Sequence, residues 1–360
     1  ESNDASADVL EALAAFLDYS SVEHIPSLDT LVEHILHRIV LAPWPNHEPE
    51  LDTEWIDDDS MPLPLRTRLG SLRVLTQWCC VQKKADLVPP VLKLLWILLG
   101  TGEVHRDQHI PLGVRSRLRL YAAQCILKLA TCDAYASLIL PRMGRLSYAL
   151  QDECFQVRMH LLHDLLLYLM RDELPTEFHA AIFLVAFDPE DEPRVQVASY
   201  TRRLQVLPPI VRHERLERII VRFLHLLAHH PDLNAESPQT LCSFARYLEF
   251  YLACVACETN IGVLARFSAC VRTYIDLSPS EPSVENSRPL YAMAELAQFL
   301  IQRLADNHGW TIYPVDEEAP CPKDILRSTG TVARSVLDGE VWELLQQQPR
   351  RHRDKKTKVA

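Results

Sequence analysis

A few side chains in this sequence have the types and spacings that chemistry uses. His225 and His229 stand four residues apart, and His160 and His163 three apart, so each pair shares one face of a helix. Two imidazoles so placed are part of a zinc site, but the hydrolytic H-E-x-x-H motif needs Glu after the first His as its base. Leu226 stands there instead. Cys254 and Cys257 have C-x-x-C spacing, yet they lie in an apolar stretch with no second cysteine pair to answer them, so core thiols are expected. Gly100-Thr101-Gly102 lacks the lysine and the third glycine of a phosphate cradle. No serine sits in a nucleophile elbow, and the carboxylates are spread along the chain. The expectation is a chain that is not an enzyme and holds no metal and no cofactor.

A second pattern is regular. In Gln151-Asp152-Glu153-Cys154-Phe155-Gln156-Val157-Arg158, an acidic residue and a short gap precede Val-Arg at the opening of a long apolar helix. Asp188-Pro189-Glu190-Asp191-Glu192-Pro193-Arg194-Val195 repeats it, and Leu118-Arg119 opens a similar helix upstream. The three arginines follow at intervals of 39 and 36 residues, close to the ~40–47 residue period of HEAT-type helix pairs. Asp152, Arg158, Asp188, Asp191 and Arg194 are therefore expected to be structural. They would cap N–H groups at repeat corners and bridge to the next repeat, with His229 and Asp232 closing a later helix. Partner binding is the alternative role for these charges. Arg202 and Arg203, on the helix that Arg194 opens, are the candidates for partner contact.

The elements that must position these residues read as helices throughout. Only 9 glycines occur in 360 residues, well below the ~7% of average proteins. Many of the 24 prolines fall between periodic segments, where a residue without an N–H belongs. The expected fold is all-α, a HEAT-type α-solenoid of stacked antiparallel helix pairs. It divides into a helical pair over residues 1–42, an acidic proline-containing loop over 43–63 and a HEAT array over 64–308. An irregular closing segment with a short helix follows over 309–348, then a basic, disordered tail over 349–360. Within the array, helices are expected over 134–150, 175–187, 213–230, 240–258, 261–277 and 287–307. The loop's run of Asp and Glu is expected to be solvated, although Trp44 and Trp55 leave open a packed or partner-docking segment.

The 10 cysteines mostly occupy apolar helical faces, as free thiols do in a reducing interior. The longest apolar run, residues 88–99, contains Lys93 and is short of the ~20 residues a membrane span needs. These features, with no secretory leader in evidence, give the expectation of a soluble intracellular chain, and the acidic start at Glu1 leaves open whether it is a fragment of something longer. Its net charge of −11 argues against a surface-wide nucleic-acid groove. Arg350, Arg351, Arg353, Lys355, Lys356 and Lys358 leave room for a local DNA contact or a nuclear import signal.

Taken in order, Ser116-Arg117-Leu118-Arg119-Leu120-Tyr121-Ala122-Ala123, the Asp152–Arg158 corner, Phe187 with the Asp188–Arg194 corner, and His225-Leu226-Leu227-Ala228-His229-His230-Pro231-Asp232 resemble the C-terminal HEAT section of the precocious-dissociation-of-sisters family. These are the cohesin-associated regulators of sister-chromatid cohesion. The resemblance covers residues 66–325 and is most specific in the middle. It implies a non-enzymatic scaffold that binds the cohesin complex, especially its kleisin subunit, and works with cohesin release and acetylation factors. It also implies a nuclear, chromosome-associated location, contact with chromatin through cohesin, and no membrane. Without the resemblance, the repeats alone would suit a transport or coat scaffold, or a helical regulatory subunit of an enzyme.

Overall fold

The computed structural model describes residues 4–19, 26–45, 53–83, 88–104 and 110–347. The fold is all-α, as expected, with two three-residue strands among these residues. The chain divides into two compact units, Glu1–Tyr200 and Thr201–Ala360.

In the first unit, α1 (Asp4–Tyr19) and α2 (Pro26–Ile35) precede α3 (Leu63–Gln82) and α4 (Val88–Thr101). Then come α5 (Leu112–Ala130), α6 (Asp133–Ile139), α7 (Met143–Ser147) and α8 (Phe155–Met170). The division between units falls inside α9 (Asp191–Gln205). Pro64 in the first turn of α3 supplies a preset φ where no N–H is needed, and left-handed Lys83 (φ 51°) ends that helix. α3, α5 and α8 pack on one another in succession, and α4 packs against α5. Leu65, Leu69 and Leu72 in α3, Leu118, Ala122 and Ile126 in α5, and Leu161, Leu165 and Leu169 in α8 recur at three and four residues and are buried. Each leucine of this kind contributes about 1.5–3 kcal/mol. No helix pair covers its own apolar side, so stacking on neighbours is what makes the array stable.

Several expected elements differ in detail. The helix over 134–150 breaks at Leu140–Arg142, a 3-10 turn, because Pro141 has no N–H to continue the ladder. Residues 176–187 form a 3-10 helix in place of an α-helix, with Phe178 through Ala186 all buried. At ~2 Å per residue this form spans more length than an α-helix of equal residue count. In the described part of the acidic loop Glu54, Asp57, Asp58 and Asp59 are exposed, whereas Trp44 is 4% and Ile56 3% exposed, so apolar residues of the segment are packed beneath a charged surface. Residues 46–52 lie outside the described residues.

The second unit opens with α10 (Pro209–Arg212), a wide π-type turn over His213–Glu217, and α11 (Ile220–Ala228). The π-type turn and α11 occupy the range expected as one helix over 213–230. α12 (Pro238–Val255) starts on Ser237, whose hydroxyl accepts the Thr240 N–H at 3.3 Å. α13 (Ile261–Cys270) stops short of the expected residue 277. The backbone passes through a 3-10 turn into β1 (Tyr274–Asp276), where Tyr and Ile favour a strand. α14 (Arg288–His308), β2 (Leu326–Ser328) and α15 (Gly339–Gln347) complete the unit. α11, α12 and α13 all pack on α14, and α15 packs on α12. β1 and β2 are antiparallel, with Ile275 opposite Arg327 and Asp276 opposite Leu326.

Candidate functional site

Asp152 and Asp188 follow 3-10 segments and have extended backbones, with ψ of 149° and 130°. That conformation turns each carboxylate toward the start of the next helix. Asp152 Oδ1 accepts the Cys154 N–H at 2.9 Å, and Asp188 Oδ1 accepts the Glu190 N–H at 3.0 Å. Six residues on, an arginine reaches back: Arg158 Nη1 donates to Asp152 O at 2.8 Å and Glu153 O at 3.1 Å, and Arg194 Nη1 donates to Asp188 O. Each corner is thus closed from both sides.

The same carboxylates also receive the arginine of the preceding repeat. Arg119 donates to Asp152 through Nε at 2.6 Å and Nη2 at 2.8 Å. Arg158 donates to Asp188 through Nε at 2.8 Å and Nη2 at 3.4 Å. The result is a ladder, Arg119–Asp152, Arg158–Asp188, with each rung tied by a backbone carbonyl to the next. The Arg158 and Asp188 side chains are 9% and 1% exposed, and those of Arg119 and Asp152 13% and 8%. The outermost pair differs. Asp191 is 92% exposed, and its bond to Arg194 is an open surface contact.

Planar, permanently charged guanidinium on carboxylate gives fixed geometry and no proton to transfer. The ladder can hold an angle between helices, but it cannot do acid–base work. Other contacts run alongside it. Gln124 Nε2 donates to Asp164 at 2.7 Å between α5 and α8, and Gln151 Nε2 to Leu184 O at 3.1 Å. Arg117 donates to Ile56 O and to Asp58, both at 2.6 Å, and lies 3.9 Å over the Trp55 ring, which stacks on His160 at 5.6 Å. This fastens the described part of the acidic segment across α5 and α8, and it gives His160 a structural neighbour. His163 is exposed.

The second unit holds a different set of ionic ties. Arg222 forms a forked pair with Asp324 at 2.7 and 2.8 Å. His213 bridges Glu217 at 2.6 Å and Glu317 at 2.8 Å. Buried Glu295 accepts from Ser335 Oγ at 2.8 Å and from the Val336 and Leu337 N–H groups. His225 and His229 converge on Asp276: His225 Nε2 is 3.3 Å from Oδ1 and His229 Nε2 2.6 Å from Oδ2. Burial alone would raise the Asp276 carboxyl, but the two imidazoles outweigh it and hold it below the usual range. Burial lowers His225.

The sequence-predicted residues therefore separate. Asp152, Arg158, Asp188 and Arg194 meet in one ladder, with Asp191 at its rim. His229 faces Asp276, whereas the Asp232 side chain is 84% exposed and 3.9 Å from His230. Arg202 and Arg203 are exposed on the last turn of α9. The basic tail from Arg350 to Lys358 lies outside the described residues. Cys254 is buried and its thiol pushed up to about 11, chiefly by burial. The partners that sequence reasoning missed are Arg119 as a ladder member and Asp276. An Asp-x5-Arg spacing with an arginine one repeat earlier would have found the first. Asp276 is 47 residues beyond His229 with no local signal linking them.

The family model described as sister chromatid cohesion protein PDS5 matches residues 1–327. The chain is similar to sister chromatid cohesion protein pds5 of Schizosaccharomyces pombe, 24% identical over 315 residues. That alignment covers 85% of this chain and 26% of the relative. It is 21% identical to PDS5 of Saccharomyces cerevisiae, over 94% of this chain and 30% of the relative. PDS5 homolog A of Danio rerio is 30% identical over 52% of the chain and 15% of the relative. The chain thus spans about a quarter to a third of the length of the two yeast relatives. With its family match running from residue 1 to residue 327 and its repeat corners in order, this chain belongs to the sister chromatid cohesion protein PDS5 family.

Proposed function

We propose that the chain is a non-enzymatic scaffold that regulates sister-chromatid cohesion in the nucleus by binding cohesin. Its principal contact is the kleisin subunit, and the factors that release and acetylate cohesin act with it. The observation that carries this reading is the family match across most of the chain. Asp152, Arg158, Asp188 and Arg194 act as joints that set the stacking of repeats, a reading supported by their hydrogen bonds to one another and to corner carbonyls within the ladder. The binding surface then falls on exposed helix faces. Arg202 and Arg203 are followed in sequence by Val206 and Ile210, which are 84% and 74% exposed, and an acidic segment with apolar residues suits such a surface. Arg350, Arg351, Arg353, Lys355, Lys356 and Lys358 add nuclear import or weak DNA contact.

The test is a titration of this chain, and of a longer chain that contains it, with purified cohesin assembled with and without the kleisin. Saturable binding that depends on the kleisin is expected. Absence of binding by either chain at low salt would overturn the assignment.

A further inference from the structure

We propose that His225, His229 and Asp276 form a binding site for a divalent transition-metal ion of the zinc class. α11 sets the two histidines one turn apart on a single face, with ring centroids 4.5 Å apart. β1 carries Asp276 to that face. The candidate ligand atoms of the three residues all lie within 4.8 Å of one another, and no other His, Cys, Asp and Glu grouping of this kind occurs among the described residues.

Zinc binds imidazole nitrogen and carboxylate oxygen at ~2.0–2.2 Å in a tetrahedron, so neighbouring ligand atoms sit about 3.3 Å apart. The separation of His225 Nε2 from Asp276 Oδ1 is 3.3 Å, already that of a tetrahedral edge. His229 Nε2 and Oδ2 are 2.6 Å apart, so the carboxylate must turn modestly to present one oxygen to the ion. Two imidazoles and one carboxylate are the protein donors of open zinc sites. Magnesium and calcium require oxygen ligands almost throughout, which this cluster does not supply.

The surroundings fix the ligands in place. Asp276 Oδ1 accepts the Ser278 N–H at 2.8 Å, and the Asp276 N–H donates to Ser287 Oγ at 3.0 Å. Pairing of Asp276 with Leu326 holds the strand that carries it. Such outer contacts orient a ligand before the ion arrives. Arg222, one turn before His225, is the nearest fixed cation on α11, and Asp324 neutralises it through the forked pair. The His229 side chain is 35% exposed and Ser278 is exposed, with its Oγ 2.9 Å from His225 Nε2. The ion can therefore enter from solvent, and its remaining position falls to water or to the Ser278 hydroxyl. The ion takes the place of the Nε2 proton against the carboxylate, and each ring then binds as the neutral tautomer with its proton on Nδ1, so a proton that leaves Nε2 is matched by one held or taken up at Nδ1. The ion would clip α11 to β1, adding a cross-link within the second unit. Leu226 follows His225, so the glutamate base of the H-E-x-x-H motif does not stand beside the ion.

The experiment uses the whole chain, stripped with a chelator and titrated with Co2+, then with Zn2+ in competition. One Co2+ per chain is expected, with the visible bands of a tetrahedral N/O site and no thiolate charge-transfer band, displaced by one Zn2+. Zn2+ should also raise the melting temperature. His229→Gln, at the most exposed ligand, and Asp276→Asn should each weaken binding at least tenfold, and circular dichroism of the metal-free variants establishes that they fold. Absence of tetrahedral bands, a thiolate signature, or equal Co2+ affinity in a folded His229→Gln chain would overturn the proposal.

Discussion

A corner aspartate with an extended backbone can brace the turn that leads into the next helix and still receive the arginine of the preceding repeat. Asp188 does both, and at 1% exposure its carboxylate depends on Arg158 for its charge to be tolerable. Removing one partner of a buried pair strands the other charge without compensation, at about 3–5 kcal/mol. Asp188→Ala should therefore lower the melting temperature by roughly 6–20 °C, given ~2–4 °C per kcal/mol for a unit of this size. Asp191→Ala, at an exposed rim pair, should leave the melt unmoved, since such pairs are screened and mobile. Thermal unfolding followed by circular dichroism checks both, and equal effects of the two substitutions would dissolve the distinction between joint and rim.

Between elements, the close approach of the segment around Ile56 to α5 depends on Gly113. A Cβ there would come 2.8 Å from Ile56 Cγ1 and 2.9 Å from Thr53 O, and the backbone oxygen cannot rotate away. Gly113→Ala should push the segment off α5, at about 1–3 kcal/mol for an overpacked contact. Changed Trp55 fluorescence and faster amide exchange over residues 53–60 would report it. An unchanged exchange rate would mean the segment is not docked there. Helix identity was largely legible in the sequence, because apolar spacing of three and four survives wherever one face is buried. What it hid were the departures from regular helix. Residues 176–187 are apolar on every side, so periodicity does not separate a 3-10 from an α-helix. The docking of Ile56 was masked by Glu54, Asp57, Asp58 and Asp59, which are exposed around it. Asp276 was hidden for another reason, since its histidine partners are remote in sequence.

At the scale of the whole chain, family membership rests on the match over residues 1–327, a range that contains the Asp152–Arg158 corner, the Asp188–Arg194 corner and the His229-His230-Pro231-Asp232 end. The two aspartate–arginine corners are joined to one another by hydrogen bonds, so they speak to how the repeats stack and not to where a partner docks. The proposed function follows that separation. Under that proposal corners keep the repeats in register and helix faces bind cohesin. The most direct measurement pairs the melting temperature of Arg158→Ala with its affinity for kleisin-containing cohesin, taken at a temperature where wild type and variant are both folded. The account predicts a lowered melting temperature with an unchanged dissociation constant. Loss of affinity with an unchanged melting temperature would contradict it, and would make the ladder the binding surface.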